Sequence, residues 1–135
     1  MTHLQKRGAQ MGRFSELSDC ELTTMKCIWD SAEPVTAHEI IRQLKKNYGL
    51  NYKESTVYTF LKKLKDKGFA NSYRQGVTFY FPIREEEEYR SLHLNRARDF
   101  WFKGSTTEMV RELFRLKPPT PEERDILMEI LEHSC

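Results

Sequence analysis

No apolar run approaches the roughly 18 residues that a membrane-spanning helix needs. The N-terminal residues also lack the hydrophobic centre of a secretory signal. A cytoplasmic protein with no membrane partner is therefore expected. Cysteine is scarce. Cys20, Cys27 and Cys135 form an odd set without paired spacing, which argues against a disulfide framework. Cys20 and Cys27 on one helix would lie about 10 Å apart along its axis, too far to bond. Reduced thiols are expected. Histidine is equally sparse: His3, His38, His93 and His133 are scattered, and no Cys/His set has metal-ligand spacing. His133 and Cys135 alone make too few ligands, so no metal and no cofactor are assigned. Glycine-rich phosphate loops, serine nucleophile elbows and HExxH motifs are absent. Glu85 to Glu88 are adjacent carboxylates, not a spaced acid/base pair. No catalytic residue is assigned, and the chain is not read as an enzyme.

What is present is charge. Charged residues make up 31% of the chain and hydrophobic residues 39%, enough for a modest core. A chain of 135 residues accommodates one domain or two small lobes. With so many charges, burial is often completed by oligomerisation. The net charge of +2 conceals an asymmetry. Residues 1–83 carry 13 Lys and Arg against 8 Asp and Glu, whereas residues 84–135 carry 9 against 12. The basic part suits a polyanion; chance in a charge-rich sequence is the plain alternative.

The stretch from Lys53 to Pro82, KESTVYTFLKKLKDKGFANSYRQGVTFYFP, organises the rest. Val57, Phe60, Leu61 and Leu64 recur at helical spacing and define one apolar face. Ser55, Tyr58, Thr59 and Lys62 point the other way, with Thr56 and Lys63 on the flanks. Gly68 stops the helix. A basic hairpin follows: strands Phe69 to Tyr73 and Val77 to Phe81 around a Gln75-Gly76 turn, with Arg74 beside it. In its second strand Val77, Phe79 and Phe81 alternate with Thr78 and Tyr80, and Pro82 closes it at the sheet edge.

A helix with a hairpin behind it reads as a winged helix, and its outer face as a surface for double-stranded DNA. The hydroxyls of Ser55, Thr56 and Thr59 suit base edges or phosphates, and Tyr58 or a threonine methyl suits a thymine methyl. Lys53, Lys62, Lys63 and Arg74 suit phosphates, which set register without reading sequence. Each lysine taken singly is as well explained by solvation. A winged-helix module for protein–protein contact, without sequence-specific DNA binding, is the alternative function.

The flanking sequence supplies the supports. Residues 1–13 read as a flexible tail. Ser18 and Glu21 form a capping box for a helix from Asp19 to about Ser31. Thr36 and Glu39 form a second, and the helix it opens buries Ala37, Ile40, Ile41 and Leu44 and ends at Gly49. His38 faces outward in its first turn, where solvation is the plainer reading. Residues 14–83 thus form a winged-helix DNA-binding domain and residues 84–135 a helical domain. The latter opens on acidic residues, continues to Lys103 and is interrupted at Gly104. A third capping box, Ser105 to Glu108, starts the next helix, and Thr120-Pro121 starts the last. The fold class is mainly α with a small β wing: a winged helix-turn-helix plus a C-terminal three-helix lobe.

That lobe is thin-cored. Phe100, Trp101 and Phe102 are consecutive and cannot all face one side of a helix. A homodimer provides the missing partner surface; folding back onto the winged helix is the rival. The expected dimerisation set is Tyr89, Leu92, Phe100, Trp101, Phe102, Met109, Val110, Leu113, Phe114, Ile126, Leu127, Ile130 and Leu131.

With these residues in view, the chain resembles the penicillinase and methicillin-resistance repressor family, which includes copper-responsive repressors. The resemblance runs from about Leu17 to Cys135. Ser18-Asp19-Cys20-Glu21, Met25-Lys26 and Ile28-Trp29 are similar to the family's first helix. Thr56 to Leu64 with Lys67-Gly68 resembles its recognition helix, Tyr80-Phe81-Pro82 the end of its wing, and Phe102-Lys103-Gly104 with Met109-Val110 its dimerisation segment. The resemblance implies a homodimeric repressor of a palindromic operator, controlling β-lactam resistance or a related stress response. It also implies a sensor-activated protease as a partner, acting in the β-lactam branch at an Asn-Phe bond. This chain has no Asn-Phe dipeptide, and Asp99-Phe100-Trp101-Phe102 stands in the corresponding region.

Overall fold

The computed structural model describes residues 17–134. The expected tail, residues 1–13, and Cys135 lie outside the described residues. Among the described residues, six helices and three strands follow in order: α1 (Asp19–Trp29), β1 (Val35–Thr36), α2 (Ala37–Tyr48), α3 (Glu54–Asp66), β2 (Ala70–Gln75), β3 (Val77–Pro82), α4 (Glu86–Phe102), α5 (Thr106–Leu116) and α6 (Pro121–His133). The chain divides into two compact units, the first ending at Leu92 and the second beginning at His93.

In the first unit, local chemistry sets each helix end. Ser18 Oγ accepts from the Glu21 backbone N–H, and the Glu21 carboxylate accepts from the Ser18 N–H, completing the expected capping box. At Thr36 the box is only half made. Its hydroxyl accepts from the Glu39 N–H, but the Glu39 carboxylate pairs with Arg42 at 2.7 Å instead. The guanidinium three residues on offers that carboxylate a charged partner, stronger than a neutral N–H. Gly49 ends α2 with φ +66°, a left-handed cap. Helix α3 ends in a Schellman arrangement. The Phe69 N–H donates to the Leu64 carbonyl at 2.9 Å and the Gly68 N–H to the Lys65 carbonyl at 3.0 Å. Gly68, at φ +80°, makes this reversal without a Cβ penalty.

The core collects Met25 and Ile28 of α1, Ile40 and Leu44 of α2, and Val57, Leu61 and Leu64 of α3, all fully buried. These are the apolar stripes that helical spacing predicts. Phe60 is only half-buried, packed edge-on against Tyr52 at 5.2 Å between ring centroids.

The sheet holds one strand more than expected. Val35 pairs with Tyr80 and Thr36 with Phe79, so the strand order is β1-β3-β2. A two-residue strand is too short to show alternation, and in the sequence Thr36 reads as a helix cap. Consequently β3 is central, and Pro82 does not end an edge strand as expected. It is tolerated because Tyr80 is the last residue that β1 reaches, which leaves the β1 side of Pro82 open. The inward residue of β3 is Tyr80, whereas Val77 is exposed. Phe79 and Phe81 lie on the outer face with Tyr73, at centroid separations of 5.5 and 6.1 Å.

The division at Leu92 shifts the expected boundary at residue 83 into α4. Residues 84–92 are held by the first unit's core. Trp29 Nε1 donates to the Arg84 carbonyl at 2.8 Å, Arg84 lies over the Phe69 ring at 5.3 Å, and Lys26 pairs with Glu86. Tyr89 is 4% exposed, between Trp29 at 5.8 Å and Phe69 at 5.3 Å. Its assignment to dimerisation is therefore corrected: it is a core residue of the winged helix. A lone aromatic after an acidic run carries no sign of which core will take it.

In the second unit, Lys103 (φ 52°) and Gly104 (φ 85°) turn the chain after α4. The third box is also half made, because Ser105 Oγ accepts from the Glu108 N–H while the Glu108 carboxylate lies 3.6 Å from Arg111. Thr120 and Glu123 complete a full box, with Pro121 opening α6.

Candidate nucleic-acid interface

Helix α3 divides sharply by face. Val57, Leu61 and Leu64 are buried, while Ser55, Tyr58, Thr59, Lys62 and Lys63 are exposed and Thr56 is half-buried. Its 13 residues span about 20 Å, more than the roughly 12 Å width of a DNA major groove. Lys53 stands at its N-cap without a side-chain cap bond. The bundle core thus fixes the helix from behind and leaves one continuous polar face outward.

Along that face the side chains differ in freedom. Thr59 Oγ1 donates to the Ser55 carbonyl at 3.1 Å, so its proton is engaged while its oxygen still offers lone pairs. Lys62 reaches Asp66 at 3.0 Å, both largely exposed, a surface pair worth little. Lys63 lies close enough to Glu21 to help lower that carboxyl's pKa, which places it on the flank toward α1. Lys67 departs most from a solvated lysine. Its ammonium donates to Glu21 Oε1 at 2.7 Å, where the Glu21 side chain is almost fully buried. Lys65 donates to Ser72 Oγ at 2.8 Å, tying the end of α3 to the wing.

Arg74 lies apart from the α3 residues, on β2. It sits opposite Thr78 in register, and its guanidinium donates to Thr78 Oγ1 at 3.4 Å. Gly76, at φ +80°, makes the hairpin tip. Tyr58 approaches the sheet: burial pushes the Tyr80 phenol's pKa up, and Tyr58 adds to the rise.

Two residues of this surface carry no base-contact signal in the sequence. His38 Nε2, in the first turn of α2, lies 3.2 Å from Glu54 Oε2 in the first turn of α3. Only the folded turn brings them together across 16 residues of sequence. Glu54 carried one sequence signal, an acid at a helix start, which the macrodipole explains without any contact.

The remaining expected dimerisation residues divide by exposure. Leu92 is half-buried, at the end of the first unit. In the second unit Phe102, Met109 and Leu127 are half-buried, while Phe100, Trp101, Val110, Leu113, Phe114, Ile126, Ile130 and Leu131 are exposed. Phe100 and Trp101 pack edge-to-face at 4.8 Å yet remain 74% and 72% exposed. Neither α5 nor α6 buries a single residue fully. Between them an apolar trough of about 390 Å³ is lined by Leu113, Phe114, Pro119, Ile126 and Leu127 together with Lys117 and Glu123.

Among the described residues, no three His, Cys, Asp or Glu side chains gather as a metal ion would require. Among the same residues, no helix is long and apolar enough to cross a membrane.

A penicillinase repressor of Bacillus licheniformis is 28% identical over 123 residues, covering 90% of this chain and 94% of that protein. A solved structure of Bacillus licheniformis BlaI, in monomeric form in complex with the blaP half-operator, is 32% identical. The alignment covers 56% of this chain and 90% of that one, with a TM-score of 0.46. The model of the penicillinase repressor family matches residues 17–133, nearly the whole sequence, and the chain belongs to that family.

Proposed function

We propose that this protein is a homodimeric transcriptional repressor that binds a palindromic DNA operator through α3. The observation that carries it is the two-faced character of α3. Its apolar stripe is fully buried in the helix-turn-helix core, while its hydroxyls, Tyr58 and lysines face outward together. Ser55, Thr56, Tyr58 and Thr59 read base edges. Lys53, Lys62, Lys63 and Arg74 neutralise phosphates. Membership of a repressor family supports the regulatory role.

Dimerisation is assigned to the second unit. A helical lobe whose α5 and α6 keep no residue fully buried leaves its apolar side chains needing a partner, and a second copy supplies one. Two reading heads on one scaffold raise affinity through effective concentration. The regulated process is β-lactam resistance or a related stress response in the cytoplasm. A sensor-activated protease is the partner that would relieve repression. The protein works by binding and not by catalysis.

The test is a footprint of the DNA upstream of the protein's own gene, repeated over a salt series. Four cations on each of two half-sites give a slope of log K against log salt of about −7. Protection of a palindromic site with a steep slope is expected. Absence of a protected site at moderate salt would overturn the proposal and favour a protein–protein module.

A further inference from the structure

The expected reading face is made of neutral hydroxyls. Those of Ser55, Thr56 and Tyr58 both accept and donate, and Thr59, its proton engaged by the Ser55 carbonyl, is a neutral acceptor, so they discriminate between bases weakly on their own. Glu54 is different. An ionised carboxylate only accepts, and it stands in the first turn of α3 with its side chain 54% exposed. In helix-turn-helix proteins this turn of the recognition helix meets base edges. A carboxylate there is repelled by every phosphate, so it adds nothing to general DNA affinity. In the major groove it pairs only with an exocyclic amine: N4 of cytosine, or N6 of adenine.

We infer that Glu54 is a specificity-determining residue that selects a cytosine by accepting from its N4 amine, with His38 as the positioning residue. This rests on α3 being the DNA-reading helix. Cytosine is favoured over adenine because a carboxylate has no donor for adenine N7, which an amide side chain would satisfy. The 3.2 Å contact between His38 Nε2 and Glu54 Oε2 supplies the orientation. One carboxylate oxygen lies against the imidazole from the neighbouring helix, and the half-exposed side chain keeps the other available to accept. Without that contact an exposed glutamate spreads over several rotamers, and ordering it on DNA costs entropy. The remaining acid of α3, Asp66, is paired with Lys62 at the far end of the helix and has no such role.

The test uses the full-length protein on its protected operator and on a panel with each base pair of one half-site replaced in turn. Glu54→Ala should flatten discrimination at a single C·G position by about fivefold or more. Affinity for random DNA should stay equal or rise, because a repulsive charge has gone. Glu54→Gln should move the preference at that position toward A·T. His38→Ala should weaken discrimination at the same position only, and the double variant should lose no more than Glu54→Ala does. If Glu54→Ala changes affinity for all panel members by one common factor, the carboxylate merely stabilises the helix start and the inference fails. If wild-type protein protects no site, the DNA-reading proposal itself has failed. Circular dichroism on each variant separates both outcomes from loss of folding.

Discussion

Lys67 Nζ donates to Glu21 Oε1 at 2.7 Å, joining residues 46 positions apart. The contact fastens the C-terminal cap of α3 to the first turn of α1, where Glu21 also caps the helix through the Ser18 N–H. Burial pushes the Glu21 pKa up. Lys67, the Ser18 N–H and Lys63 outweigh it and hold the carboxyl below its ordinary value. The sign follows directly. A depressed carboxyl contributes stability that is complete above its unfolded pKa and is lost as pH falls through the lower folded value. Lys67→Met leaves the burial but removes the main opposing charge. Unfolding free energy at neutral pH should fall by about 1–3 kcal/mol, and the acid limb of the stability profile should move to higher pH. Urea melts between pH 3 and 7, a range set by the ordinary carboxylate pKa of about 4, measure both. An unmoved acid limb would show that Glu21 titrates as a free carboxyl.

Tyr89 belongs to the winged-helix core, so a fragment ending at Leu92 and one ending at Arg84 should behave differently. The shorter lacks the ring packed between Trp29 and Phe69 and the Lys26–Glu86 pair. It should be less stable by about 3–5 kcal/mol, the usual cost of deleting a buried aromatic. Tyr89→Ala in the full chain should reproduce most of that loss in thermal melts. Equal stability of the two fragments would return residues 85–92 to the second unit.

Exposed apolar side chains of α6 should act on association alone. Ile130→Glu places a charge on a residue 53% exposed in the single chain, so the protomer's own fold should be little affected. If the proposed dimer forms through α6, sedimentation should show its association weakened by about tenfold or more. Val77→Glu, equally exposed but on the wing, is the control and should leave association unchanged. A dimer that survives Ile130→Glu would move the interface off α6.

Thiol chemistry should distinguish the two cysteines of α1. Cys27 is buried, and burial with Asp30 nearby pushes its pKa to about 11. Only about one thiol in a thousand is then ionised at pH 8, and that one is enclosed. Cys20 is half-buried, with its sulfur 3.0 Å from the Tyr52 hydroxyl. Iodoacetamide on the native protein should modify Cys20 first and reach Cys27 only on unfolding, which peptide mass mapping resolves. Equal rates would contradict the burial of Cys27.

Much of the molecule is legible in the sequence because its signals are local. The apolar stripe Val57, Leu61 and Leu64, the Ser18 and Thr120 caps, and the stops at Gly49, Gly68 and Gly104 each depend on residues within a turn or two. Helical spacing alone put Ser55, Tyr58 and Thr59 on the outer face of α3. What tertiary structure decided are pairings between distant residues. A two-residue strand exists only because β3 is there to pair with it, and Tyr80 turns inward only because the helices lie on that side. Tyr89 joins the core that Trp29 and Phe69 make available, and Lys67 is a structural cation because folding brings Glu21 to it. Of the two carboxylates that matter most, Glu21 announces itself as a cap. Glu54 acquires its partner, His38, only when the turn closes, since hydrogen bonds and ion pairs act over a few ångströms and no spacing rule encodes which helices will meet.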